Sequence, residues 1–507
     1  MYATTRAIRP TLLLAGCSLF AICSSANLAD AKPPFLKPNS LVISTSTYDN
    51  TQGAITGLQV GSQLPSASIS TTCQPFSTAV AGNDYVNVWN NDGADPSFGV
   101  TSAITLTDVA PGDGHMLSTL SIPTDQVVTS FSSKSELGLH IANRWYGPVL
   151  TLEGYGGAGV GALDASDSDA VDGQDPTNPV TCFFGNSYAF PRTIVTVAQD
   201  GGLAYTPTIA YGGNNGRSAL YSPDASSYYT VGNSNNGDTS AYNQGITSPD
   251  VTQTTGLEVV NPLDWPTYNF APIPQGNSEQ ADPQYTSVAG NKAGKDSNFR
   301  GVTEYNGALY FTKGSGSNGI DTVYTVTPAL PSLQDAASAA VSIVPGFPTD
   351  STKTTGGNFT PFAVFFANAT TMYVTDEGAG NTTDQTSHAG LEKWSLVNGT
   401  WQFDYVLTSN LIGTMYTPTG SDGDWPTVTT SGLRNLAGEV KGDKVKLWAV
   451  TSTTSLSGDN GADPNEVVTI TDKLSATTLP AKEAFSVLKA PVYGSVYRGV
   501  VYVPAAN

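Results

Sequence analysis

Basic residues are scarce in this 507-residue chain, and that scarcity limits the partners it can have. Lys and Arg total 22 against 42 Asp and Glu, so the formal net charge is −20 at pH 7. Nucleic acids and anionic membranes bind through basic residues, so neither is expected as a partner. Only 13% of residues are charged, whereas 9% are aromatic and 52 are glycines. This composition is typical of a folded, loop-rich extracellular protein rather than a disordered one.

Cysteine and histidine are also rare, and their spacing excludes the common metal and redox motifs. Two of the four cysteines lie near the N-terminus, and the others are Cys73 and Cys182. In an oxidising compartment these two either form a disulfide or remain separate buried thiols, and the sequence leaves both possibilities open. The three histidines, His115, His140 and His388, have no metal-ligand spacing and no neighbouring Cys or His. They are interpreted as surface, loop or core residues.

The only long apolar run lies at the N-terminus. Residues 1–31 combine a basic start, an apolar stretch and small residues at the end, which is typical of a secretory signal peptide cleaved after Ala31. A bacterial lipoprotein anchored through Cys17 is the alternative. The remaining residues, 32–507, contain no apolar run long enough for a transmembrane segment. The sequence therefore predicts one secreted domain, in the periplasm or outside the cell.

A repeated pattern of short strands predicts the fold. Within residues 298–326, three β-prone runs alternate with tight turns at Asn306-Gly307 and Asn318-Gly319, which are strong hairpin signals. A fourth run follows at Val341–Val344. Similar four-strand units recur along the chain at a period of roughly 60 to 80 residues. A four-stranded meander cannot bury both of its faces alone, so the copies must stack against one another, as they do in a β-propeller.

The repeats predict an all-β fold, a seven-bladed β-propeller of four-stranded antiparallel blades. The C-terminal run Val496–Val500 copies the start of the fifth blade at Phe299–Val302, and residues 40–45 resemble a second strand. We therefore expect the N- and C-terminal strands to share one blade and to close the ring, which removes an exposed sheet edge. The seven blades are placed near 41–72, 75–123, 131–198, 205–272, 290–346, 357–410 and 430–488.

Two of these strands resemble a known family of propellers. Met372–Asp376 and Leu309–Thr312 are similar to the Tyr-Val-Thr-Asn strand of the YVTN/NHL-like seven-bladed propellers. The motif is short, and the resemblance covers only part of the chain. It implies a fold without a particular chemistry, because propellers include hydrolases, lyases, oxidoreductases and binding proteins.

An acidic loop is the candidate metal site. Asp167, Asp169 and Asp172 are close in sequence, and Gly173 follows them. Calcium prefers six to eight oxygen ligands on a flexible loop with a glycine at the turn. The spacing departs from that of an EF-hand loop and lacks its closing Glu. Calcium is therefore a possible cofactor, and a solvated acidic loop is the alternative.

The arginines form the least expected pattern. Arg217, Arg300, Arg434 and Arg498 each begin the innermost strand of a predicted blade. In a propeller these positions surround one mouth of the central channel, where forked guanidinium groups suit the recognition of carboxylate or phosphate. The hypothesis is an anion-binding funnel on an acidic protein. The alternative is structural, with each arginine bonded to loop carbonyls or to an acid of a neighbouring blade.

The function predicted from these features is ligand binding. We expect a secreted, monomeric propeller that binds an anionic small molecule, a polysaccharide or a surface partner without catalysis. The alternative is a propeller hydrolase or lyase acting on an acidic sugar or lactone, with the arginines orienting a carboxylate. An enzyme also needs a general base at the same mouth, and the candidates are Glu304, Glu439 and His140.

Overall fold

The computed structural model covers most of the predicted strands but not the N-terminal segment. The predicted signal peptide, Cys73, Cys182 and the loop with Asp167, Asp169 and Asp172 lie outside the described residues. The structure describes residues 34–48, 63–64, 77–78, 80–81, 89–90, 100–131, 133–144, 147–161, 165, 190–208, 210–211, 215–233, 255–262, 280–286, 288, 296–314, 318–352, 359–378, 388–420, 423–455 and 461–505.

The first strands of the chain include most members of a nine-stranded sheet. Strand β1 pairs with β6 and β6 with β7, while β9 to β12 pair in sequence order. Strand β8 joins the two groups through short pairings with β6 and β10, and β2–β3 and β4–β5 are separate two-stranded ladders. The strands are β1 (Ser40–Thr47), β2 (Gln63–Leu64), β3 (Ser77–Thr78), β4 (Val80–Ala81), β5 (Trp89–Asn90), β6 (Thr101–Val109), β7 (Met116–Ser121), β8 (Val127–Ser130), β9 (His140–Arg144), β10 (Gly147–Gly156), β11 (Arg192–Ala198) and β12 (Leu203–Thr208).

Four separate antiparallel meanders follow, in which each strand pairs with the next along the chain. They are β13–β16, β17–β20, β21–β24 and β28–β31, and β25 adds an extra edge pairing to β28. A one-turn 3₁₀ helix, Ala336–Ser338, precedes β20. The strands are β13 (Gly216–Ser222), β14 (Ser227–Gly232), β15 (Leu257–Val260), β16 (Gln280–Ala281), β17 (Val302–Tyr305), β18 (Ala308–Lys313), β19 (Thr322–Thr327), β20 (Ala340–Ile343), β21 (Pro361–Asn368), β22 (Thr371–Asp376), β23 (Gly390–Val397), β24 (Thr400–Leu407), β25 (Met415–Tyr416), β26 (Thr419–Gly420), β27 (Gly423–Asp424), β28 (Val428–Lys441), β29 (Lys444–Thr454), β30 (Val467–Lys473) and β31 (Ser486–Lys489).

The last strand of the chain returns to the first. Strand β32 (Ser495–Val503) pairs antiparallel with β1, with Leu41 opposite Tyr502 and Ile43 opposite Val500. The first group therefore has the order β32-β1-β6-β7. Six strands, β9, β13, β17, β21, β28 and β32, all contribute residues to one cavity, and we call them the inner strands. The arrangement is a β-propeller-like ring of antiparallel sheets, as the sequence predicted.

The predicted count of seven blades is not confirmed. The predicted units 41–72 and 75–123 do not form two sheets, because β1 pairs directly with β6 from Leu41 to Thr47. In the described ranges, four-strand groups occur as four separate meanders and as two groups inside the nine-stranded sheet.

The core lies between neighbouring groups. Val231 and Leu257, from the meander that begins with β13, pack in one buried cluster with Phe299 and Phe311, from the chain at the next meander. The Phe299 and Phe311 rings meet edge to face with centroids 4.7 Å apart. Inner strands also approach closely, since a Cβ on Gly301 would lie 2.5 Å from the carbonyl oxygen of Phe362. This packing fixes the side chains that face the central channel.

Among the described residues, no helix is both long enough and apolar enough to cross a bilayer.

Candidate functional site

The central channel contains a cavity of about 510 Å³ that all six inner strands line. On each of four inner strands, the lining residues come after an arginine in the sequence: after Arg217 on β13, Arg300 before β17, Arg434 on β28 and Arg498 on β32. The four arginines therefore lie toward one end of the channel, beyond the inner limit of the cavity, where Arg300 and Arg434 directly precede the lining residues Gly301 and Asn435. We call these two regions the cationic end and the open end.

The structure brings the arginines together in a buried setting. Their exposed fractions are only 2–5%. Burial lowers the pKa of Arg217, and the charge of Arg300 lowers it further. Burial and the charge of Arg434 lower the pKa of Arg300 in the same way. These mutual effects require guanidinium groups that are close together in a medium of low polarity.

A segment before β9 fills part of the cationic end and holds two of the arginines. Arg498 Nη1 donates to the carbonyl oxygen of Ser133 at 2.7 Å, and Arg498 Nη2 donates to the carbonyl oxygen of Phe131. Arg300 Nη1 donates to Ser135 Oγ. These contacts fit the structural alternative of the sequence analysis, and they also fix the guanidinium planes in place.

Arg217 is held by the neighbouring meander instead. Its Nη1 donates to the carbonyl oxygen of Phe299 at 2.6 Å and to Asn298 Oδ1. The Nε groups of Arg217 and Arg300 are buried, and neither has a hydrogen-bond partner among the described residues. A buried guanidinium N–H without an acceptor costs free energy that an anionic oxygen would recover.

One carboxylate, that of Glu377, accompanies the arginines directly. Glu377 Oε2 lies 3.4 Å from Arg434 Nε and 3.2 Å from Lys134 Nζ. Burial alone would raise the pKa of Glu377, but Lys134, Arg300 and Arg434 together lower it to about 2. Glu377 is therefore ionised at neutral pH and is a poor proton acceptor.

Lys134 is the titratable cation at this end. Burial lowers its pKa to about 8; Glu377 opposes this shift, while Arg300 and Arg434 reinforce it. Its side chain keeps 36% of its accessible surface, so it remains in contact with solvent. Lys134 is thus charged at neutral pH and begins to lose its charge in mildly alkaline solution.

A second nearby carboxylate, Glu136, accepts four hydrogen bonds. Its Oε2 accepts from Thr129 Oγ1 at 2.6 Å and from the Ser130 backbone N–H at 2.9 Å. Its Oε1 accepts from Asn215 Nδ2 at 3.0 Å and from the Tyr155 hydroxyl. These bonds tie the segment before β9 to the walls of the channel, and Glu136 partly opposes the lowering of the Arg217 pKa.

The open end has the opposite charge. Its lining includes the carboxylates of Asp224 and Glu304. Burial raises the pKa of Glu304, the Ser222 hydroxyl opposes this shift, and the charge of Asp224 adds to it. His140 Nε2 and Ser218 Oγ are 2.6 Å apart, and burial lowers the pKa of His140 to about 4. The imidazole of His140 is therefore neutral at pH 7.

The structure separates the predicted general bases from the arginines. Glu304 lies four residues after Arg300, a distance of about 13 Å along an extended strand. Glu439 does not line the cavity; it accepts from the Tyr502 hydroxyl at 2.6 Å and pairs with Lys441 at 2.8 Å. The groups that do lie beside the arginines, Lys134 and Glu377, were missed by the sequence analysis.

The other histidines have ordinary surroundings. The His115 backbone N–H donates to Asp113 Oδ1 at 3.0 Å. His388 Nδ1 lies 2.5 Å from Glu392 Oε1, and this hydrogen bond raises the pKa of His388. In the described part of the chain, no group of three His, Cys, Asp or Glu side chains could hold a metal ion.

Comparisons with known proteins add little to this geometry. No family model and no curated protein matches the chain. Among solved structures, an ACO/RPE65 chimera aligns at 11% identity and a TM-score of 0.23, over 80% of this chain and 60% of its own length. A quinonprotein alcohol dehydrogenase-like protein from Bacteroides thetaiotaomicron aligns at 8% identity and a TM-score of 0.29, over 80% and 85% of the two chains. A mutant levansucrase from B. megaterium aligns at 10% identity and a TM-score of 0.20, over 89% and 100%.

At these TM-scores the likenesses support no functional inference. The class of protein rests on the strand pairing itself, which defines an all-β chain with a β-propeller-like arrangement of sheets.

Proposed function

We propose that this protein is a secreted β-propeller that binds an anionic ligand, such as an acidic carbohydrate, at the cationic end of its channel without catalysing a reaction. The observation that carries the proposal is the buried cluster of Arg217, Arg300, Arg434 and Arg498, in which two Nε donors have no acceptor among the described residues.

The charges at the cationic end support this proposal. The four arginines and Lys134 are five cationic groups at this end, and the carboxylates beside them are Glu377 and Glu136. Asp321 also acts on Arg300 but is paired with Lys313 at 2.6 Å. A cationic excess in a low-polarity channel attracts anions strongly, because solvent screens it poorly. The bonds from Arg498 and Arg300 to the segment before β9 orient the guanidinium groups in advance, which reduces the entropy lost on binding.

We also infer that the pairing of β32 with β1 closes the ring, as expected for a YVTN/NHL-like propeller. The register runs from Ser40 opposite Val503 to Thr47 opposite Ser495. Both chain termini then belong to one blade, and the inner strand of that blade is the last strand of the chain. The surface partner and the secreted state are part of the same proposal, and they rest on the acidic composition and the N-terminal segment.

The anion proposal is tested by thermal unfolding of residues 32–507 with sodium sulfate, oligogalacturonate and a neutral oligosaccharide at equal ionic strength. We expect the melting temperature to rise saturably with an anionic probe and not with the neutral oligosaccharide. Arg300→Lys keeps the charge but loses the fork, so it should weaken binding roughly tenfold or more while the fold survives. Arg144→Lys is the matched control, because Arg144 stacks on Tyr221, away from the cationic end, with 3.8 Å from its guanidinium carbon to the ring centroid.

Equal shifts with anionic and neutral probes would contradict the proposal. So would an Arg300→Lys variant that binds the anion like the parent protein. A variant that loses stability but keeps its affinity would assign Arg300 the structural role.

One observation favours the alternative, a lyase or hydrolase acting on an acidic sugar or lactone. Lys134 has a pKa of about 8 and lies beside arginines that could neutralise a substrate carboxylate. A neutral lysine there would serve as a general base for proton abstraction. Incubation with oligogalacturonate, followed by absorbance of unsaturated products and by reducing-end assays, tests this reading. Activity that Lys134→Met abolishes would favour the enzyme over the binding protein.

A further inference from the structure

The open end of the channel is a candidate site that the anion-binding proposal does not use. Its cavity of about 510 Å³ is large enough for a small organic molecule. Asp224, Asn143 and Asn306 are exposed, while Glu304 and His140 are only partly buried, so the cavity opens to solvent. Because the inner strands fix its walls, the cavity exists before any ligand arrives.

The charges around this cavity select against anions. Asp224 and Glu304 are its charged lining residues, and no Lys or Arg is among the residues that line it. His140 is neutral at pH 7 because burial lowers its pKa to about 4. Arg144 stacks on the Tyr221 ring of the cavity wall, and Arg300 and Arg434 directly precede the lining residues Gly301 and Asn435. None of these three arginines is among the groups that set the pKa of Glu304.

The remaining walls combine apolar residues with uncharged polar ones. The apolar residues include Leu139, Ile141, Val302, Phe365, Leu436 and Val501, and the polar ones include Asn143, Thr303 and Asn435. A ligand with an ammonium group and an apolar body matches this cavity. The apolar body contacts the apolar residues of the wall, and the ammonium group lies at the carboxylates.

From this cavity, its apolar wall and its two carboxylates, we propose that the open end binds an organic cation, namely a primary amine with an aromatic or aliphatic body. Asp224 and Glu304 bind the ammonium group. The charge of Asp224 raises the pKa of Glu304, and a cation beside Glu304 would favour its ionised form, which contributes to the affinity. The site is separate from the cationic end and stands whether or not that end binds anions.

The experiment is a calorimetric titration of residues 32–507 at pH 7 with three probes of the same size: phenethylamine, phenethyl alcohol and phenylacetate. We expect saturable binding of the amine, binding of the alcohol at least roughly tenfold weaker, and none of phenylacetate. Glu304→Gln should weaken amine binding about tenfold and leave the alcohol unaffected. Asp335→Asn is the control, because Asp335 is an exposed acid at the N-cap of the 3₁₀ helix and does not line the cavity.

A second variant protects the test against a folding defect. Asp224→Asn changes an exposed group, so the variant should keep the melting temperature of the parent protein and bind the amine more weakly. Amine affinity should fall as the pH is lowered through the raised pKa of Glu304, and more steeply once His140 becomes charged below about pH 4. Failure of the amine to bind, equal binding of amine and alcohol, or amine binding that survives both substitutions would each overturn the proposal.

Discussion

Replacement of Glu377 by Gln should destabilise the protein in a manner that depends on pH. The pKa of Glu377 falls from an ordinary value of 4.5 to about 2 in the folded protein, because Lys134, Arg300 and Arg434 surround it. Each pKa unit corresponds to about 1.4 kcal/mol, so the ionised carboxylate contributes about 3 kcal/mol to the free energy of unfolding at pH 7. Glu377→Gln removes this contribution and leaves the three cations without their shared counter-charge.

The sign of the pH effect follows from the lowered pKa. A carboxyl group with a depressed folded-state pKa stabilises the protein above its unfolded pKa, and this stabilisation is lost as the pH falls from about 4.5 to about 2. The difference between parent and Glu377→Gln should therefore be about 3 kcal/mol at pH 7 and only about 1 kcal/mol at pH 3. Urea unfolding followed by tryptophan fluorescence measures both values.

Glu439→Gln is the matched control for this substitution. Glu439 pairs with Lys441, whose side chain is 74% exposed, and a surface pair of this kind contributes at most about 1 kcal/mol. If Glu377→Gln costs the same free energy at pH 3 as at pH 7, the loss comes from packing rather than charge. If it costs nothing at pH 7, the cationic cluster is not held together by Glu377.

Three further predictions test other parts of the molecule. Deletion of Val496–Asn507 should abolish cooperative unfolding or solubility, because β1 loses one of its two partner strands; an unchanged melting temperature would contradict ring closure. If Asp167, Asp169 and Asp172 bind calcium, a chelator should lower the melting temperature and millimolar calcium should restore it, whereas identical curves would mean a solvated loop. Anion affinity at the cationic end should fall as the pH rises through about 8, where Lys134 loses its charge. Lys134→Met should remove this pH dependence, whereas the control substitution Lys482→Met should leave it unchanged.

Local sequence pattern predicted the strands of the later meanders well. The hairpin at Asn306-Gly307 joins β17 to β18, and both residues have the positive φ angles that such a turn requires. The run Met372–Asp376 belongs to the second strand of its meander, as the strand and turn pattern predicted. Alternating side chains and turn residues are local signals, and in these sheets each strand pairs with its neighbour in sequence.

The same reasoning failed where pairing is not local. The partner of β1 on one side is β6, more than fifty residues away, and nothing in the local pattern distinguishes that pairing from a hairpin with a nearer run. The sequence singled out the four arginines because they recur at similar places in the repeats. In the structure Arg217 is the second residue of β13 and Arg300 precedes β17, whereas Arg434 and Arg498 lie inside β28 and β32 rather than at their starts. The sequence did not locate Lys134 or Glu377, because their contacts depend on how a connecting segment enters the channel. The repeat pattern of the sequence does not predict the path of such a segment.

The pairing of the first and last strands also governs when the protein can finish folding. Thr47 and Ser495, which face each other in this pairing, are 448 residues apart. At a synthesis rate of about 5 to 20 residues per second, β1 leaves the ribosome roughly 20 to 90 s before β32 exists. During that interval one edge of β1 has no partner strand, and an unpaired strand edge can pair with another chain. The first sheet can therefore be completed only after synthesis of the last strand, however early its other strands form.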